Sequence, residues 1–399
     1  VKNNILIVGI DGGATKVSGW TAVRNDDGTF ELGDVNIQKK YSEYEYFDPE
    51  FTPVDIKTQL KEMEEGIHLT AEEKKQGLAY MYAVADVIAE LVKTNPDLNV
   101  LIGIGMPGLK TKDRRGISAL ANGPRMPEYS NVIENRLILI NIKLAAPIHH
   151  LGSDADYCGL GEEYSSEGQF RSVENSYYLG GGTGVADALK LKGKLVPFDA
   201  IKPWMAKAWE MKADSGKSME RYCSAAGIQS IYGEYSGIPV PELNEKEIYA
   251  PQIMEKALGG EDRAKKTMKD VSHYLAELLF ERITTIYNGT LGQFEFVNPA
   301  RGKLIPHHPY KGTLLDHIII GQRLGDYLQE SKSKGILWEP MLNHLKELIQ
   351  KNEVLTKEFK EHYLKENTFN EKRIVLSRLR EAPAMGAAVD AWLSRIEQS

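Results

Sequence analysis

The sequence predicts an α/β protein made of two domains. Three observations carry that expectation. The chain has 399 residues, more than one hydrophobic core usually organises. Apolar runs of strand length alternate with amphipathic stretches of helix length, the pattern of sheets joined by crossover helices. Two of the apolar runs end in glycine-rich turns, at Asp11-Gly12-Gly13 and at residues 180–184.

The elements follow in order. Residues 5–10 form a continuous apolar run that stops at Asp11, a buried strand with a tight turn after it. Residues 17–24 read as a second strand. Residues 25–70 are polar, acidic and aromatic, and read as an excursion from the sheet with no assigned role. Leu78, Met81, Ala85, Ile88 and Val92 recur at steps of three and four, so 71–94 is a helix, ended by Asn95-Pro96. A strand is expected at 99–104, short strands at 136–140 and 147–150, and a helix from Asp154 to about Tyr164. Residues 176–180 form a strand that runs into the glycine loop, with a hairpin at 186–191 and 193–195. A long amphipathic helix covers 261–287, a strand 318–320, and helices the remainder, including 384–396. No internal repeat of fixed period is visible.

The totals narrow the function. A formal charge of −7 argues against a nucleic-acid or membrane-surface role for the whole chain. No stretch approaches the ~20 apolar residues of a spanning helix. The two cysteines, Cys158 and Cys223, make no disulfide framework, so a reducing, cytoplasmic setting is expected.

Three features carry chemistry. After the first strand come Asp11, Gly12, Gly13, Ala14, Thr15 and Lys16. Glycines let backbone N–H groups approach a phosphate, Thr15 adds a hydroxyl and Lys16 a charge. Asp11 is placed to hold Mg²⁺ through water. The alternative is an ordinary hairpin turn. The second feature, residues 180–184 (Gly180, Gly181, Gly182, Thr183, Gly184), is a further phosphate-loop candidate against a structural loop. The third is Asp154 at a strand-to-helix junction, a candidate general base. Its competing role is a helix cap, which Ser153 or Asp154 would serve. Ser215-Gly216-Lys217-Ser218 fails as a P-loop, because Met211 stands where the first glycine is needed. Adjacent histidines, His149-His150 and His307-His308, point to opposite sides of an extended chain and seldom share an ion.

In this order the motifs resemble the ROK family of sugar kinases, within the actin-like ATPase (ribonuclease H-like) superfamily. GIDGGATK resembles its first phosphate motif. IGIGMPGLKT followed by ANGPRMPEY resembles its sugar-edge segment, and GSDADYCGLGE its catalytic box. GGGTG is similar to the second phosphate motif, SMERYCSAAGI to the segment after the family's zinc site, VNP…IIIG to the adenosine-side strand, and APAMGAAVDAW to the closing helix. The resemblance implies two lobes of mixed sheets flanked by helices around a central cleft. The small lobe would be 1–122, completed by helix 382–399, and the large lobe 123–381. It implies an ATP- and Mg²⁺-dependent kinase acting on a hydroxyl of a hexose, amino sugar or sugar-like cyclitol, with Asp154 as base. Asp11, Gly12, Gly13, Thr15, Lys16, Gly181, Gly182, Thr183, Gly184 and Gly321 would bind the nucleotide. Asn122, Gly123, Ser153 and Asp154 would face the acceptor.

The departures concern the acceptor. The family's Cys-rich zinc motif and its sugar-gripping Glu-x-Gly-His are missing, so no structural zinc is expected. Glu210, in the replacing segment 202–217, is the candidate to take over a sugar contact. Trp204 and Trp209 would stack on a sugar or pack in the core. Ser153 and Asp156 replace asparagines, and 300–316 is an added stretch. The first phosphate motif begins near residue 9, so a DNA-binding domain before it is not expected. The competing reading is a non-catalytic sugar-binding sensor on the same fold. A homodimer is allowed but not required.

Overall fold

The computed structural model describes residues 4–397. By internal contacts the chain divides into two units. One runs to Gly168 and resumes at Glu381; the other spans Gln169–Arg380. The first unit extends beyond residue 122 and includes the segment that carries Asp154.

The first unit is built on five strands: β1 (Ile5–Gly12), β2 (Lys16–Arg24), β3 (Phe30–Lys40), β4 (Asn99–Gly105) and β5 (Leu151–Gly152). They lie in the order β3-β2-β1-β4-β5. β1 pairs antiparallel to β2 and parallel to β4, β2 antiparallel to β3, and β4 parallel to β5. β1 is central, which explains its unbroken apolar run. Leu6, Val8 and Ile10 join a core with Val84, Val87 and Ile88, while Ile7 joins a separate one with Met385, Ala388 and Val389. Alternate residues thus face opposite layers.

The helices here are α1 (Ile56–Glu65), α2 (Ala71–Val92), α3 (Tyr129–Leu139), α4 (Asp154–Tyr164) and the C-terminal helix Ala382–Glu397. α2 starts at Thr70, whose side chain accepts from the Glu73 N–H. It covers one face of the sheet. The C-terminal helix lies so close to the other that a Cβ on Gly9 would stand 2.0 Å from Ala384 O, and one on Gly103 1.8 Å from Ala387 O. Only glycine permits that approach.

Two sequence expectations are corrected here. Residues 136–140 are no strand: α3 occupies this segment, because Tyr129, Ile133 and Leu137, four residues apart, form its buried stripe. Residues 147–150 are no strand either; pairing begins at Leu151. The excursion at 25–70 contains β3 and α1. As an edge strand β3 buries few of its residues, so it leaves little periodic signal.

The second unit repeats the plan with β6 (Ser176–Gly181), β7 (Val185–Leu191), β8 (Lys194–Val196), β9 (His317–Gly321) and β10 (Ile374–Leu376), in the order β8-β7-β6-β9-β10. Again the first three strands form an antiparallel meander and the last two add in parallel. Its main helices are α5 (Ala225–Ser236), α6 (Asp262–Asn288), α7 (Gln322–Ser331) and α8 (Trp338–Lys351). Val271, Leu275, Leu279 and Ile283 of α6 sit in the core with Met341 and Leu345 of α8. The stretch 300–316 is loop, and His308 within it stacks on Trp204 at 4.0 Å. No helix among the described residues is long and apolar enough to cross a membrane.

Candidate active site

In the first unit, β1 and β2 meet at a hairpin closed by Gly13 N–H donating to Lys16 O at 2.9 Å. Three successive tip carbonyls are taken up from behind. The Tyr41 hydroxyl donates to Gly13 O at 3.1 Å, the Tyr80 hydroxyl to Ala14 O at 3.2 Å, and the Tyr41 N–H to Thr15 O at 3.1 Å. Tyr41 and Tyr80 are themselves stacked at 3.7 Å. With its acceptors occupied, the tip has its remaining N–H groups and the Thr15 hydroxyl to offer, which suits an anion.

Asp11 is the penultimate residue of the central strand. Its carboxyl is pushed from its ordinary 3.8 up to about 7, by burial first, then by the charges of Asp154 and Glu381, with Lys16 opposing. Three carboxylates therefore act on one another within this unit. Glu381 was not singled out in the sequence; it stands just before Ala382-Pro383, where the C-terminal helix starts. An acidic residue immediately before a proline-marked helix start was the available signal.

Asp154 begins α4 and is exposed. The cap is Ser153: its hydroxyl accepts from Asp156 N–H at 3.1 Å and donates to the Asp156 carboxylate at 2.8 Å. The Asp154 carboxylate accepts from the adjacent Ala155 N–H at 2.9 Å. The capping task that competed for Asp154 is therefore done by its neighbour, and the Ser153 hydroxyl is engaged with Asp156.

A cavity of about 350 Å³ lies beside the hairpin, lined among others by Thr15, Phe47, Phe51, Gln76, Tyr80 and Asn122. Asn122 and Gly123 thus share a wall with Thr15. The excursion supplies Phe47 and Phe51, giving this segment a place the sequence alone did not assign. Its helix α1 also holds the segment before Asn122. Gln59 accepts from Leu120 N–H at 2.7 Å and donates back to Leu120 O at 3.2 Å. Behind Asn122, the buried Arg125 makes a two-pronged contact to Glu73, 2.8 Å on each prong, and also pairs with Glu62.

In the second unit the glycine loop closes on itself, with Gly182 N–H donating to Gly184 O at 2.9 Å. The Ala225 N–H, at the start of α5, donates to Gly182 O at 3.0 Å. A Cβ on Gly182 would lie 2.8 Å from the Gln322 side chain, and one on Gly321 2.6 Å from the Tyr178 hydroxyl. The unit thus brings Gly181, Gly182, Thr183, Gly184 and Gly321 to one end of its sheet, since β6 and β9 are parallel neighbours with Gly180 opposite Gly321. Glu220, also unsuspected, accepts from Val185 N–H at 2.9 Å beside Gly184. Glu210 uses both oxygens locally: one accepts from Arg301 Nε at 2.8 Å, the other from Lys207 N–H at 2.8 Å. Trp204 is a core residue, 4% exposed, whereas Trp209 is 50% exposed.

No family model and no curated protein sequence matches the chain. Solved structures do. A ROK family glucokinase from Streptomyces griseus, in complex with glucose and AMPPNP, is 13% identical with a TM-score of 0.57, over 97% of this chain and 99% of that one. A ROK hexokinase from Thermus thermophilus is 14% identical with a TM-score of 0.55, over 98% and 99%. A ROK family transcriptional regulator, described as a homologue of the E. coli MLC protein, is 12% identical with a TM-score of 0.53, over 99% of this chain and 82% of that one. At such identities the likeness speaks to architecture. The chain has the fold of the ROK sugar kinases, the actin-like α/β fold of mixed sheets flanked by helices.

Proposed function

We propose that the chain is a ROK-type kinase, working in the cytoplasm, that transfers the terminal phosphoryl group of ATP to a hydroxyl of a sugar-like acceptor. The observation that carries this reading is Asp154: an exposed carboxylate at a strand-to-helix junction, relieved of capping by Ser153. A sensor has no need of such a residue. Asp154 would accept the proton as the acceptor oxygen attacks. The hairpin tip and Thr15, Lys16 and the loop of Gly181, Gly182, Thr183 and Gly184 would hold phosphate oxygens, and Gly321 would mark the adenosine side.

The residues present suit Mg²⁺. Asp11, with Asp154 and Glu381 acting on it, supplies hard oxygen ligands, and its raised pKa marks negative charge that a divalent cation would offset. Asp11 would hold the ion through water; bound there, it would neutralise charge on the transferring phosphoryl group. Asn122 and Gly123 would face the acceptor from the wall of the cavity, whose Phe47, Phe51 and Tyr80 side chains suit the apolar face of a ring. A hexose, an amino sugar or a cyclitol fits this chemistry. Glu210, oriented by Arg301 on one oxygen and by Lys207 N–H on the other, would meet an acceptor hydroxyl through the lone pairs those bonds leave.

The test is ADP release from ATP and Mg²⁺ over a panel of hexoses, amino sugars and cyclitols. We expect release that depends on one class of acceptor. Binding of an acceptor with no acceptor-dependent release would favour the sensor instead.

A further inference from the structure

A cluster in the second unit lies outside everything described so far. We propose that His273, Glu277 and His344 form a binding site for one divalent transition-metal ion of the Zn²⁺, Ni²⁺ or Cu²⁺ type, bridging α6 and α8. His273 and Glu277 are four residues apart on α6, so their side chains stand one above the other on a single face. His344 comes from α8, which packs on α6. One ligand atom from each of the three lies within 4.8 Å of the others. His344 Nε2 is 3.1 Å from the Glu277 carboxylate, and the two imidazole rings are 4.3 Å apart, tilted by 30°.

Ligands held ~2.0–2.2 Å from a tetrahedral ion stand about 3.4 Å from one another. The Glu277–His344 pair is already close to that spacing, and a His273 nitrogen lies within 4.8 Å of both partners. Each side chain keeps some exposure, 26% for His344 and 23% for Glu277, so an ion can enter and a water can take the fourth position. Burial, then His344, holds His273 below its ordinary histidine pKa, favouring the neutral imidazole that ligates. Asp270 and Asp214 add negative charge nearby.

The donor set decides the class of ion. Two imidazoles and one carboxylate suit Zn²⁺, Ni²⁺ and Cu²⁺, whereas Mg²⁺ and Ca²⁺ prefer oxygen alone. The site is therefore separate from Mg²⁺ at Asp11, and it uses no cysteine. An ion there would fasten the middle of α6 to α8.

The test uses the full chain without a histidine tag, stripped of metal and titrated with ZnCl₂ in excess Mg²⁺. Calorimetry should give one Zn²⁺ per chain, and thermal unfolding should shift upward. Glu277→Gln, nearly isosteric, and His344→Ala should each weaken binding by roughly tenfold or more, with unfolding of the metal-free protein little changed for Glu277→Gln. No saturable uptake by the parent chain, or affinity unaltered in Glu277→Gln, would overturn the site. The readouts are binding and unfolding, so they stand apart from whether the chain phosphorylates anything.

Discussion

At the scale of single residues, two aspartates of the first unit sit in opposite environments. Asp154 is exposed and free of the helix cap; Asp11 is desolvated and pressed by like charge. If Asp154 is the general base, Asp154→Asn should lower turnover by ~10²–10⁴ while acceptor affinity changes little. Steady-state kinetics will show it, and an unaltered turnover number removes Asp154 from the role. Asp11 makes a prediction about pH. Its folded pKa, about 7, lies above its ordinary 3.8, so the folded state binds the extra proton. Without divalent ions, its contribution to stability is whole below about pH 4 and is lost as the pH rises to about 7. Asp11→Asn should flatten that part of the stability profile, measured by denaturant unfolding. Mg²⁺ bound at the ionised carboxylate should release protons near neutral pH, seen by calorimetry in buffers of different ionisation enthalpy. An identical pH profile in Asp11→Asn would refute the assignment.

At the scale of elements, the excursion between β2 and α2 proves to be a brace. β3 closes the edge of the sheet, the aromatic stretch after it lines the cavity, and α1 grips Leu120 through Gln59. Arg125 completes the brace by joining Glu73 of α2 to Glu62 of α1; its side chain and that of Glu73 are 0% and 1% exposed. Such a pair is costly to break from one side. Arg125→Met should destabilise the protein by about 3–5 kcal/mol, because Glu73 is left buried without its counter-charge, keeping only the residue-125 N–H, and the double change with Glu73→Met should recover much of that. Urea unfolding of both variants tests it; a single variant as stable as the parent would contradict the brace. None of this was legible beforehand. The chemistry of the stretch showed plainly, but its partners are far along the chain, and edge strands and loops carry no periodicity to announce them.

At the scale of the whole molecule, each unit is organised by the same five-strand plan, a meander extended by two parallel strands. No sequence period betrays the repetition, because the two sheets are filled by different side chains and joined by different helices. The plan also places the candidate loops: in each unit the glycine-rich turn follows the first strand of the meander, at the hairpin into the second. The sequence by itself determined the α/β class, the central strands, the long helices and the candidate loops. Those depend on local patterning, on glycine's freedom and on apolar runs long enough to be buried on both faces. Only the tertiary structure decided that Ser153 and not Asp154 caps α4, that Glu381 acts on Asp11, that Arg301 and Lys207 orient Glu210, and that Phe47 and Asn122 line one cavity. Those facts depend on which distant side chains meet, and hydrogen bonding and charge act over a few ångströms of space whatever the separation in sequence.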